Sequence, residues 1–223
     1  MSIDDIISAV RFCIDEEATN GASFANAASG DDTRMNNIIK NKIGDALRWV
    51  CLYAPAELLG GTDQSGTSTG ILVDDAPTPT AVYDNKAGKI VLNGNFIKLA
   101  RVRVNGWHRA VKVPLQEDSD EYLQLLDTNG ATATADRPQA AIIDKATKEL
   151  EVWPWNSSET VSLTYVASVE PAGIGTPVTA YAFPPKVKSS IIYYLAYLLL
   201  SAYNDARAER MLAIAKMNLG GVQ

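Results

Sequence analysis

Residues 88–113, GKIVLNGNFIKLARVRVNGWHRAVKV, contain two Asn-Gly pairs, each flanked by runs rich in Val, Ile and Leu. Asn-Gly strongly favours a two-residue hairpin turn, because both central residues of a type I′ turn need positive φ. The pairs at 93–94 and 105–106 therefore predict a meander of three strands, over 88–92, 95–104 and 107–113.

Side chains alternate across a strand, so this meander has two distinct faces. One face is apolar and is the expected core: Val91, Phe96, Ala100, Val102, Val104, Trp107, Val111 and Val113. The other face is basic: Arg101, Arg103, His108 and Lys112. Arg109 and Lys98 fall on the core face by this count, so either they reach out to solvent or the register contains a bulge.

The meander belongs to a longer β-rich block. Short apolar runs recur from about 70 to 168, and the cleanest alternation is at 160–167, TVSLTYVA. About seven short strands separated by turn residues predict an antiparallel sandwich or barrel.

Helical periodicity brackets this block on both sides. Apolar residues recur every three or four positions over 2–17, 32–53, 186–202 and 204–219. We predict an α+β fold in which residues 1–59 and 184–223 form a helical bundle and residues 60–183 form an inserted antiparallel β domain. Residues 18–31, 60–69 and 171–183 are small, polar or Pro/Gly-rich, and predict connecting arms.

Two helices have apolar residues on more than one face. Trp49, Leu52 and Tyr53 lie off the main stripe of the second helix, and Tyr193, Tyr197 and Leu200 form a second stripe on the third. Such a helix is either deeply buried or also packs against a second chain.

Residue types needed for catalysis are scarce. His108 is the single histidine, and no carboxylate occurs from Asn85 to Gln116 to orient it. The segment 60–69 lacks the Gly-Lys-Ser/Thr ending of a phosphate loop, and the acidic run at 117–121 lacks the pattern of a calcium loop. Cys13 and Cys51 are predicted as buried small hydrophobes, with a disulfide as the alternative. The sequence therefore predicts no enzyme, metal or cofactor site.

Charge is segregated along the chain. Seven cations and no acids occur from Asn85 to Gln116, while the whole chain carries −6, so the remainder carries −13. The basic segment is either a solvated sheet face or a surface that docks on the acidic part of a second copy. The negative net charge of the whole chain disfavours nucleic-acid binding.

The motif Trp153-Pro-Trp155 supports an alternative function, because indole rings stack on sugars. An accessory module that binds glycans through exposed tryptophans is therefore a second hypothesis, against core or turn packing of the same rings.

The N-terminal acids and the short apolar run over 191–200 predict a chain that folds in the cytoplasm without a membrane segment.

Three stretches carry a resemblance: Leu150-Glu-Val-Trp-Pro-Trp155, Val161-Ser-Leu-Thr-Tyr-Val166, and the helical segment that begins Phe183-Pro-Pro-Lys-Val-Lys and runs to Ala215. With the helix–β–helix layout, they resemble the head–tail connector (adaptor or ring) proteins of short-tailed bacteriophages, of the crAss-like type. The resemblance is strongest over residues 140–215 and includes no catalytic signature.

The resemblance implies a structural virion protein of the neck, assembled in the host cytoplasm. It implies a ring, commonly of twelve copies, that joins the portal protein to further tail or ring proteins. Genomic DNA would pass through the channel without specific binding. The residues we expect at protein interfaces are Arg101, Arg103, His108, Arg109, Lys112, Trp49, Tyr53, Tyr193 and Tyr197.

Overall fold

A computed structural model of the chain describes residues 3–18, 29–60, 71–144, 146–168 and 183–220. Over these residues the protein is mixed α+β, with six helices and two sheets of three and five strands. The helices are α1 (Ile3–Ala18), α2 (Ser29–Tyr53), α3 (Ala56–Leu59), α4 (Asp120–Asp127), α5 (Pro185–Ala202) and α6 (Ala208–Asn218). The strands are β1 (Leu72–Asp75), β2 (Thr80–Val82), β3 (Ala87–Val91), β4 (Phe96–Val104), β5 (Leu115–Gln116), β6 (Gln139–Asp144), β7 (Lys148–Trp153) and β8 (Val161–Ala167).

The chain divides into two compact units. The β unit, Leu72–Ala167, contains all eight strands and α4. The helical unit is built from the flanking parts, Met1–Ile71 and Ser168–Gln223, and contains the other five helices. The predicted arms at 18–31, 60–69 and 171–183 fall almost entirely outside the described residues.

The helical unit is organised around α5, which packs against α1, α2 and α6. The apolar stripes predicted from the sequence supply its core, because Ile6 and Val10 of α1, Ile43 of α2, and Ile191 and Leu195 of α5 are all 0–1% exposed. None of the described helices is long and apolar enough to cross a bilayer.

The predicted hairpin at 93–94 is wrong. β3 pairs with β2 and β7, whereas β4 pairs with β8, so this turn carries the chain from one sheet to the other. The Phe96 N–H donates to the Asn93 carbonyl at 2.9 Å, and the described residues with positive φ do not include Asn93 or Gly94. Without positive φ the turn cannot be of type I′ or II′, the two types whose backbone twist matches that of two paired strands.

The predicted third strand of the meander is also wrong. The turn at 105–106 is closed by the Trp107 N–H, which donates to the Val104 carbonyl at 2.9 Å. Beyond it, only Val111 pairs back, through two backbone hydrogen bonds with Val102 of 2.8 and 2.9 Å. The segment 107–113 is therefore a loop with one bridge.

The apolar face predicted for the meander is only partly buried. Val91 and Val113 are 63% and 83% exposed, while Ile90 and Leu92, the neighbours of Val91, are buried. A shift of one residue in register exchanges the two faces of a strand, which accounts for the error in β3. The anticipated bulge exists: the pairing of β4 with β8 is irregular between Phe96 and Lys98 and again between Leu99 and Arg101.

The smaller sheet has the order β1-β8-β4 and is antiparallel throughout. The larger sheet has the order β2-β3-β7-β6-β5. Its pairs are antiparallel except for β5 with β6, which run parallel, so the predicted all-antiparallel domain needs this correction.

Two apolar clusters stabilise the β unit. One contains Val102 and Leu163 from the smaller sheet together with Ile90, Leu150 and Val152 from the larger. The other lies between the larger sheet and α4, and includes Tyr122, Leu125, Ala141, Ile143 and Trp153.

Candidate docking surfaces

Four aromatic rings from α2 and α5 form a cluster on the helical unit. Trp49 stacks on Tyr194 with a centroid distance of 4.1 Å and an interplanar angle of 8°. Tyr53, one helical turn after Trp49, lies 5.2 Å from its ring, and Tyr197 lies 5.6 Å from Tyr194. Burial raises the pKa of the Tyr194 hydroxyl above its ordinary value.

The end of this cluster is open to solvent. Trp49 is only 8% exposed, whereas Leu52 and Tyr53 are 52% and 64% exposed. We call Leu52 and Tyr53 the α2 tip. Large exposed apolar side chains that adjoin one another commonly mark protein-docking surfaces.

The structure separates the aromatic residues predicted for the interface. Trp49 packs against residues of its own chain, whereas Tyr53 is exposed. Tyr193 does not join the Trp49 cluster and packs instead with Cys13 and Ile14 against the α5–α6 core. Tyr194 was missed by the sequence analysis, although its i,i+3 spacing to Tyr197 is a signal for a shared helix face.

A groove lies between α1 and α5. Its volume is about 490 Å³, and its lining includes Ala9, Phe12 and Cys13 from α1 and Ile192 and Tyr193 from α5. We call it the α1–α5 groove. Phe12 is 60% exposed, so the groove offers apolar surface to solvent. Phe12 lies off the buried stripe of α1, so its role in a groove could not be predicted from that stripe.

The basic residues predicted for docking are exposed, and tertiary contacts link one of them, Arg101, to an acid through a threonine hydroxyl. The Arg101 Nε donates to the Thr164 Oγ1 at 3.1 Å, and this hydroxyl donates to the Asp74 Oδ1 at 2.5 Å. These three residues lie opposite one another on β4, β8 and β1. On the larger sheet, the Lys89 Nζ lies 3.3 Å from the Glu149 Oε1.

Arg103, Arg109 and Lys112 are exposed on or after β4. Arg103 makes a long hydrogen bond of 3.4 Å from its guanidinium to the Trp107 carbonyl. Because carboxylates from other strands approach part of the basic segment, its surface is less uniformly positive than its sequence.

His108 acquires the acidic partner that its own segment lacks. Its Nδ1 lies 2.5 Å from the Asp136 Oδ1, and both side chains are more than 70% exposed. Within the described part of the chain, no Ser, Thr or Cys side chain bonds to the imidazole. A nucleophile–His–Asp arrangement is therefore not assembled there.

Trp153 and Trp155, which the alternative glycan hypothesis needs to be exposed, are buried, as expected for core or turn packing. Trp153 is 0% exposed and stacks on Tyr83 at 4.8 Å. Trp155 is 5% exposed, and its Nε1 donates to the Glu159 carbonyl at 3.0 Å. Neither ring presents a free face for stacking on a sugar, so this premise of the glycan hypothesis is wrong.

A buried carboxylate in the β unit was not anticipated. Glu151 is 5% exposed and accepts hydrogen bonds from the Tyr83 and Tyr122 hydroxyls, at 3.1 and 2.9 Å. Burial and these neighbours raise the pKa of Tyr122 far above its ordinary value. Because Tyr122 belongs to α4 and Glu151 to β7, the network joins this helix to the sheet.

The remaining polar candidates have structural roles. Ser119 begins α4, where its Oγ accepts from the Tyr122 N–H, so the acidic run at 117–121 is a capped helix start. Cys13 and Cys51 are not joined in a disulfide; Cys51 is buried as predicted, whereas Cys13 is only half-buried. The described residues contain no group of three or more His, Cys, Asp or Glu side chains placed to hold a metal ion.

Comparison with protein-family models and with curated proteins finds no match to this chain.

Proposed function

We propose that this protein is a structural subunit of a bacteriophage head-to-tail connector, and that it acts by packing against further protein chains. The observation that carries the proposal is the α2 tip, where large apolar side chains continue an aromatic cluster into solvent. Burying such a surface in an assembly gains roughly 25 cal/mol per Å² of apolar area.

The proposal extends to the assembly itself. Copies of the chain form a ring in the virion neck, between the portal protein and the next tail or ring protein. The ring surrounds the exit channel for genomic DNA, and the net charge of −6 suits passage of DNA without binding. The protein has no catalytic activity and needs no cofactor.

We also propose a finer description of the fold. The two sheets of the β unit pack face to face as a sandwich, supported by the apolar cluster to which both contribute, for example through Leu163 and Leu150. The helices of the other unit form a bundle around α5, supported by its packing against α1, α2 and α6.

Electron microscopy of the purified protein tests this function, with the protein alone and mixed with the portal protein encoded near it. We expect closed rings, alone or seated on the portal. Mass measurement should give a single multiple of the 24.0 kDa chain. A protein that stays monomeric and does not bind the portal at any concentration contradicts the proposal.

A further inference from the structure

The helical unit presents an apolar projection and an apolar recess on different sides of one helix. The α2 tip adjoins the Trp49–Tyr194 stack, so it lies on the Tyr194 side of α5. The α1–α5 groove is lined by Ile192. Ser189, Ile192 and Tyr193 of the groove cover one side of α5, whereas Tyr194 and Tyr197 of the aromatic cluster cover a neighbouring side, roughly 100° further around the helix.

This separation determines what kind of contact the two surfaces can make. A projection and a recess on different sides of one subunit cannot meet within that subunit. Joined between copies, they give a head-to-tail contact, in which each copy uses one surface toward each neighbour. Repetition of such a contact produces a ring if the rotation closes.

The two surfaces have compatible chemistry. The groove has a volume of about 490 Å³, is open to solvent, and has a mostly apolar lining. The tip offers an aliphatic and an aromatic side chain, and Phe12 and Tyr193 in the groove offer aromatic surface in return.

Charge on the two helices is complementary. Among the side chains that the structure describes, α1 carries Asp4 and Asp5 against Arg11, and Asp5 is part of the groove lining. The described side chains of α2 include four cations against one carboxylate, Asp45, and exposed Arg48 lies one turn before Leu52 on the same face. Opposite charges around an apolar contact favour the correct orientation and disfavour the contact of like surfaces.

We propose that the α2 tip of one copy docks in the α1–α5 groove of a second copy of this chain. The inference rests on the proposed ring and names its subunit contact: Leu52 and Tyr53 insert beside Phe12, and Cys13 lies next to the inserted residues.

The native thiol of Cys13 makes this contact testable by cross-linking. In a chain carrying Cys51→Ala and Leu52→Cys, the thiol at position 52 of one copy lies near Cys13 of the next. A short bis-maleimide should therefore join many copies, giving a ladder of dimer, trimer and higher species on a denaturing gel. Adding Cys13→Ser should abolish the ladder.

A matched control uses Met217, which is 64% exposed on α6 of the same unit and lies outside both surfaces. A chain with Cys51→Ala and Met217→Cys should give no ladder. A ladder of equal strength from this control overturns the proposal. So does a strong dimer band from the Cys13→Ser chain, since that band means that two tips meet each other.

Sedimentation measures assembly directly, and circular dichroism first checks that each variant is folded. Tyr53→Asp and Phe12→Asp should each cause loss of the oligomer, whereas Met217→Asp should leave it unchanged. If the unmodified protein forms rings but neither the cross-link nor these losses appear, the contact is wrong and the proposed function stands. If the unmodified protein forms no oligomer with or without portal, both are wrong.

Discussion

Gly130 occupies a position where any side chain is unfavourable. Its φ is +75°, in the left-handed region that favours glycine, and it follows Asn129, whose φ is +47°. A Cβ on Gly130 would lie 2.5 Å from the Cε3 of Trp153, a fully buried ring. The end of α4 can therefore approach the sheet closely only with glycine here.

We expect Gly130→Ala to lower the free energy of unfolding by at least about 1–2 kcal/mol, because a left-handed alanine is strained and its methyl meets the indole. Chemical denaturation followed by tryptophan fluorescence measures the change. The matched control is Gly94→Ala. A Cβ added at Gly94 would meet no heavy atom within 4 Å, and Gly94 is not among the residues with positive φ. Equal destabilisation by the two changes would contradict this account.

At the scale of elements, the connection between α5 and α6 depends on one charged side chain. The Asp205 carboxylate accepts hydrogen bonds from the backbone N–H, the Nε and the Nη2 of Arg207, at 2.9, 2.9 and 2.6 Å. Arg207 also donates to the Ile14 carbonyl of α1 at 3.3 Å. The hydrogen bonds from Arg207 lower the pKa of Asp205 to about 2 from its ordinary value of 3.8.

This lowered pKa predicts a specific pH dependence. A carboxyl whose pKa is lower in the folded state stabilises that state above its unfolded pKa, and the stabilisation is lost as pH falls through the folded pKa. We therefore expect Asp205→Asn to lower the Tm modestly at pH 7. The Tm difference from the unmodified protein should shrink between about pH 4 and pH 2.

Thermal unfolding by circular dichroism at several pH values checks this expectation. A Tm difference that stays constant from pH 7 to pH 2 would show that the carboxylate charge is not responsible. Asp136→Asn is a useful comparison, because Asp136 is an exposed aspartate in the other unit, and its substitution should not alter the α5–α6 connection.

At the scale of the whole molecule, each unit has its own core. The apolar clusters of the β unit are built entirely from residues between Val73 and Ala167. The helical unit, in contrast, needs both flanking parts of the chain, because α5 packs against α1 and α2. Excision of the β unit therefore leaves its core complete.

We expect the fragment Leu72–Ala167 to fold alone and to unfold cooperatively on heating, because no buried cluster is cut. Near-UV circular dichroism and calorimetry measure this. A control fragment that stops at Thr160 lacks β8, the central strand of the smaller sheet, and should lose the transition. A full-length β-unit fragment without fixed tertiary structure would refute the independence of this unit.

Much of the helical unit could be predicted from sequence, since helical hydrogen bonds are local and an amphipathic stripe shows in any window of a few turns. The buried stripes of α1, α2 and α5 were found in this way. Strand segments were also found from alternation, but the partners predicted for β3 and β4 were wrong. The turn at 93–94 shows why. Asn-Gly permits a hairpin, but β3 pairs instead with the distant β7 and β4 with the distant β8, so the two strands that flank the turn do not pair with each other.

The sequence by itself determined the helix–β–helix order, the buried stripes, the acidic total and the scarcity of catalytic groups. Only the tertiary structure decided that Asp136 and Asp74 reach the basic segment, that Trp153 and Trp155 are buried, and that Leu52, Tyr53 and Phe12 are exposed. The physical reason is distance along the chain. Burial and ion pairing depend on which remote segments pack together, and that information is spread over the whole chain rather than held in a local pattern.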